Sequence, residues 1–123
     1  MNNQPEKDIY IIRSNIEKII SEIGKCRREI EDKGKARASS IKNYKMKVAI
    51  TLATLSECDN YKLGDKTYKR PPVSIMEKIA EGICSQERYD MEIAESGYKA
   101  VITNLDALMA QLNAYQSIFR HLE

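Results

Sequence analysis

Ten apolar positions in the last third of the chain recur at alternating spacings of three and four: Met91, Ala94, Tyr98, Val101, Leu105, Leu108, Leu112, Tyr115, Phe119 and Leu122. At 3.6 residues per turn such a series draws one apolar seam along one side of a helix. A seam this long must be covered by a facing helix. The fold is therefore constrained to long helices lying side by side. With Ser85 as its cap, this helix runs over residues 85–122 and extends roughly 57 Å.

A second stripe steps through Ile9, Ile12, Ile16, Ile19, Ile23, Cys26 and Ile30, widened by Ile11 and Ile20. Pro5 suits a helix's first turn, and Glu6 and Asp8 suit its positive end. Beyond Lys33-Gly34-Lys35 the apolar positions Ala38, Ile41, Val48, Leu52 and Leu55 continue in a shifted frame. About one residue inserted into a heptad demands a local change of supercoil, a kink or a break. The expectation is one helix over residues 5–57 with an irregularity near Gly34.

Residues 58–73 interrupt the pattern. Tyr61-Lys62-Leu63 and Lys66-Thr67-Tyr68 flank Gly64-Asp65, a tight-turn pair in which Gly supplies positive φ. A small hairpin follows, and Pro71-Pro72 then forces extended backbone. Ser74-Ile75-Met76-Glu77 reads as a capping box opening a short helix over 74–83, with Ile75, Ile79 and Ile83 on one face and Gly82 near its end. The whole is read as one all-α domain over residues 1–123. It is an elongated antiparallel coiled coil or bundle of long helices with a small central β-hairpin. A chain of this kind leaves apolar surface over, so a homo-oligomer is expected. Its interface is placed at Met91, Tyr98, Val101, Leu105, Leu108, Leu112, Tyr115 and Phe119.

Composition narrows the chemistry. With 42% hydrophobic and 31% charged residues the chain is not disordered by composition. Cys26, Cys58 and Cys84 are odd in number and form no CxxC pair, which argues against a disulfide framework and a zinc site. Met1-Asn2-Asn3-Gln4-Pro5 lacks the layout of a signal peptide. No apolar run approaches the ~20 residues of a membrane span. A reducing, cytoplasmic setting in a bacterial host is expected, with no membrane partner.

Catalytic groupings are missing from the sequence. The sole histidine, His121, sits in a last helical turn, where it favours the helix dipole. Glu92 and Glu95 share a helical face but lack the ExxH motifs of bundle metal sites. Gly64 and Gly82 belong to no phosphate loop. The reading is a non-enzymatic protein with no catalytic residue, no metal and no cofactor.

The charge is unevenly spread. Residues 1–73 carry 16 basic and 10 acidic side chains, and residues 74–123 carry 4 and 8, so net +6 faces net −4. One basic cluster, Lys25 to Arg37, is diluted by Glu29, Glu31 and Asp32 and reads as a salt-bridged exposed face. A second joins Lys42, Lys45 and Lys47 to Lys62, Lys66, Lys69 and Arg70, with Tyr44, Tyr61 and Tyr68 interleaved. Bases stack on Tyr while Lys and Arg meet phosphates, the combination used for single strands and nucleotides. The plainer reading is a hairpin kept soluble, and its edges blocked, by Lys. The candidate ligand residues are Lys45, Lys47, Tyr61, Lys66, Tyr68, Lys69, Arg70 and Ser74.

The segments Lys45-Met46-Lys47-Val48-Ala49 and Pro72-Val73-Ser74-Ile75-Met76-Glu77-Lys78-Ile79-Ala80-Glu81-Gly82, and the ending Asn113-Ala114-Tyr115-Gln116-Ser117-Ile118, resemble small helical proteins from phages and prophages of Gram-positive bacteria. The resemblance covers residues 40–123 and carries over no catalytic residues. It implies an accessory of phage replication or recombination, or an inhibitor of host defence. The leading expectation is an anti-defence sponge that sequesters a small anionic, cyclic nucleotide signal. Its alternatives are a nucleic-acid-binding accessory of phage replication or recombination, and a helical inhibitor that binds a host defence enzyme directly.

Overall fold

The computed structural model describes residues 4–122, so Met1, Asn2 and Asn3 of the leader reading lie outside the described residues. Three helices and one hairpin follow in order: α1 (Gln4–Glu57), β1 (Asn60–Leu63), β2 (Lys66–Lys69), α2 (Val73–Ile83) and α3 (Ser85–Leu122). α1 is an unbroken helix of 54 residues that continues through Gly34. At that position a Cβ would lie 3.4 Å from the Tyr98 ring, an ordinary van der Waals contact. The helix does not break at this glycine.

The chain divides into two compact units, one of residues 1–34 with 97–123 and one of residues 35–96. In the first, the opening segment of α1 and the closing segment of α3 run antiparallel. Ile19, Ile23 and Cys26 from α1 are buried with Val101 and Leu108 from α3, and Ile30, Leu105, Leu112 and Tyr115 pack against them. The Cys26 thiol donates to the Val101 carbonyl at 3.4 Å. Over these positions the two sequence stripes cover one another inside a single chain. Val101 and Leu108, with Leu105, Leu112 and Tyr115 beside them, fill this core.

In the second unit Leu55, Met76 and Ala80 are buried, with Val48, Leu52, Tyr61, Ile79 and Ile83 packed against them. The α2 face that turns inward is Met76, Ile79, Ala80 and Ile83, whereas Ile75 stays 44% exposed, so the inner face is rotated from the Ile75/Ile79/Ile83 row. Ala38 is exposed, and the neighbouring Arg37 is half-buried and paired with Glu95 at 3.6 Å. The shifted apolar frame begins at Ile41.

The two expected caps are not used. α2 begins one residue before Ser74, with Pro72 as N-cap (φ −56°, ψ 146°) and no side-chain cap bond. Extended Pro72 already supplies the carbonyl that receives the Ile75 amide at 3.1 Å. Ser74 is then inside the first turn, where its hydroxyl cannot reach back over the helix end as a capping box requires. Likewise Ser85 is the first residue of α3, and the residue before it, Cys84, gives its carbonyl to the Arg88 amide at 3.1 Å.

Candidate functional site

The hairpin pairs Asn60 with Lys69, Tyr61 with Tyr68, Lys62 with Thr67 and Leu63 with Lys66. Gly64, at φ +62°, is the first central residue of the turn, and Asp65 keeps a negative φ. That sign pattern belongs to a II′ turn, whose twist suits a two-residue hairpin and which favours Gly at this point. The Arg70 amide donates to the Asp59 carbonyl at 2.7 Å and closes the base of the ribbon.

Side chains alternate across the ribbon, so register decides who shares a face. Tyr61 and Tyr68 lie on one face and stack, with centroids 5.5 Å apart and planes at 26°. Tyr61 packs on the Leu55 core, and Tyr68 is stacked against it while remaining 42% exposed. Lys66 shares the tyrosine face, whereas Lys62 and Lys69 project from the other. All three lysines are exposed, and the only acid in the hairpin is Asp65 at its turn.

The eight sequence-predicted ligand residues do not converge. Lys45 and Lys47 are two positions apart on α1, which puts them about 200° apart around the helix. Lys47 donates to Glu87 Oε1 at 2.6 Å. This hydrogen bond, with the attraction of opposite charges, raises the Lys47 ammonium above its ordinary range and lowers the Glu87 carboxyl below its own. Arg70 Nη1 donates at 3.2 Å to the Ser56 carbonyl in the last turn of α1. That turn has no basic residue of its own, so Arg70 supplies the cation which a helix C-terminus favours. Ser74 is exposed on the first turn of α2.

Two grooves border the hairpin. One, of about 400 Å³, is lined by Ile50, Thr51, Thr54, Leu55, Cys58, Asn60, Tyr61, Lys62 and Ile83 and is largely apolar. The other, of about 590 Å³, is lined by Ser56, Arg70, Pro71, Pro72, Val73 and Met76. Tyr61 and Arg70 are the predicted ligand residues that line them. Lys62, a member of the basic cluster outside the eight expected ligand residues, also lines the first groove. The antiparallel register, legible from Gly64-Asp65, is the signal that puts it on the same face as Lys69.

Among the described residues no group of three or more His, Cys, Asp or Glu could hold a metal ion. No helix there is long and apolar enough to cross a membrane. Comparison with protein-family models, curated proteins and solved structures gives no match.

Proposed function

We propose that this protein is a non-enzymatic, helical nucleic-acid-binding accessory whose basic hairpin lies along a single strand. The observation that carries the reading is the ribbon itself: Lys62, Lys66 and Lys69 exposed on two faces, with Tyr68 stacked on an anchored Tyr61. Cations spread along a ribbon suit a polymer that presents a charge at every nucleotide. A single small anion needs them gathered in one pocket. Tyr68 offers its outer ring to a base, and Tyr61 holds it in place from behind, at a stacking gain of about 1–3 kcal/mol per base. The resemblance to phage proteins is consistent with service in phage replication or recombination.

Fluorescence anisotropy with a labelled single-stranded oligonucleotide, titrated over salt, tests this. If Lys62, Lys66 and Lys69 meet phosphates, log K should fall with log salt at a slope of about −2, since each contact on a single strand contributes about −0.7. The Lys66→Ala/Lys69→Ala variant should lower the magnitude of the slope by about 1.4. A slope near zero, or one that the variant does not change, refutes the reading.

One observation favours capture of a small anionic nucleotide, and with it the anti-defence sponge. The groove beside Arg70 opens at the start of α2, and its 590 Å³ falls within the range of small-molecule sites. Calorimetry against cyclic nucleotides at high salt separates the two readings: a pocket keeps its ligand there, and a ribbon loses its strand.

A further inference from the structure

We infer that two copies of this chain associate through one side of the first unit, the side carrying Ile16, Ile20, Leu105 and Met109. The inference is independent of the hairpin and its ligand. The direction of the core is set on α1 by Ile19, Ile23 and Cys26 and on α3 by Val101 and Leu108. At about 100° per residue, Ile20 lies roughly 90° round α1 from that direction, and Met109 roughly 90° round α3 in the same sense. Ile16 and Leu105 lie about halfway between. In an antiparallel pair, equal senses of rotation bring side chains to the same side. The Cys26–Val101 contact and the groove joining Lys18 to Gln111 fix the stagger, which sets Ile20 level with Met109.

The two sides of this pair differ in chemistry. Rotation in the other sense reaches Asn15, Lys18, Glu22 and Gln111, which line a polar groove together with Ile19 and Tyr115. The Ile20 side is apolar at its centre, yet Ile20 is 52% and Met109 37% exposed. Ile16, Ile102, Leu105 and Leu112 beside them are only half-buried. One helix pair with these five buried apolar residues has an unfinished core on that side.

The area fits a second copy. Two helices side by side, each about 10 Å wide over about 20 residues, present roughly 30 by 20 Å, or about 600 Å² per copy. Two such faces bury about 1,200 Å², the lower bound for a specific interface. A self-complementary face of this kind gives a closed two-fold dimer in which the two helix pairs complete one four-helix core. Val101 and Leu108 face the chain's own α1, and the contact between copies is centred on Ile20 and Met109, a quarter turn away from that direction.

Light scattering or native mass spectrometry on the full chain should give twice the 14.1 kDa of one copy. Ile20→Glu/Met109→Glu should weaken association at least tenfold with helical circular dichroism retained, and Lys18→Glu on the polar side should leave the mass unchanged. A cross-link keeps the test decisive should the double variant fail to fold. In a Cys58→Ser background, Ile20→Cys chains should be joined by a short bismaleimide and Lys18→Cys chains should not. A wild type that stays monomeric at tens of micromolar overturns the proposal. So does a folded double variant that remains a dimer, or equal cross-linking from both positions.

Discussion

Leu55→Ala probes the core that anchors the hairpin. Leu55 is 3% exposed and packs with Met76 and with Ala80, which is 0% exposed. The substitution removes three buried carbons, a transfer loss of about 2.4 kcal/mol at roughly 0.8 kcal/mol each. In a rigid core the remaining void would carry the total toward the upper end of the roughly 2–5 kcal/mol range. Here Leu55 also lines the open groove beside Tyr61 and Ile83, so the space merges with solvent and those neighbours can settle into it. The expected loss is therefore about 2.5–3.5 kcal/mol, below that upper end. Urea unfolding followed by helical circular dichroism measures it, and hydrogen exchange of the α2 amides reports whether opening begins in this unit. Leu63→Ala is the control: Leu63 is 43% exposed and should cost less than about 1 kcal/mol. A Leu55→Ala loss under about 1 kcal/mol would refute this account of the core.

Three further outcomes follow from the geometry. Gly64→Ala places a side chain at φ +62° and should destabilise the hairpin by about 1–2 kcal/mol, whereas Gly82→Ala, on a helix with open space around it, should stabilise by about 0.4–1 kcal/mol; paired urea melts check both. The Glu87 carboxyl is held below its ordinary range by Lys47, so its contribution is present at neutral pH and lost as pH falls through that lowered value. Glu87→Gln should thus be less stable than wild type at pH 7, with the gap closing in acid. The Lys47 side runs the opposite way, its stabilisation being lost only as alkaline pH passes its raised value. Arg70→Ala removes the bond to the Ser56 carbonyl and should cost about 0.5–1.5 kcal/mol, seen as faster exchange in the last turn of α1.

Helix positions and the hairpin were legible in the sequence because they follow from local periodicity and turn chemistry. The three-four spacing of Val101 to Leu112 and of Ile19 to Ile30 marked the faces that meet, and Gly64-Asp65 marked the turn. The capping box at Ser74 misled because Pro72 fixes its own backbone and starts the helix earlier. Gly34 lies inside one continuous helix, beside the ring of Tyr98, which is 64 positions away in sequence. The site was harder still. Lys47 is claimed by Glu87 and Arg70 by Ser56, pairings that only the folded chain creates. Composition counts cations, but it cannot tell which are already engaged.

The most direct measurement of the central claim is ultraviolet cross-linking of a single-stranded oligonucleotide to the full chain, with the adduct located by mass spectrometry. Base stacking on the hairpin predicts the adduct on Tyr68, lost in Tyr68→Leu and reduced by Lys66→Ala/Lys69→Ala. Adducts confined to Tyr10 or Tyr89, which are exposed but lie outside the hairpin, would contradict it.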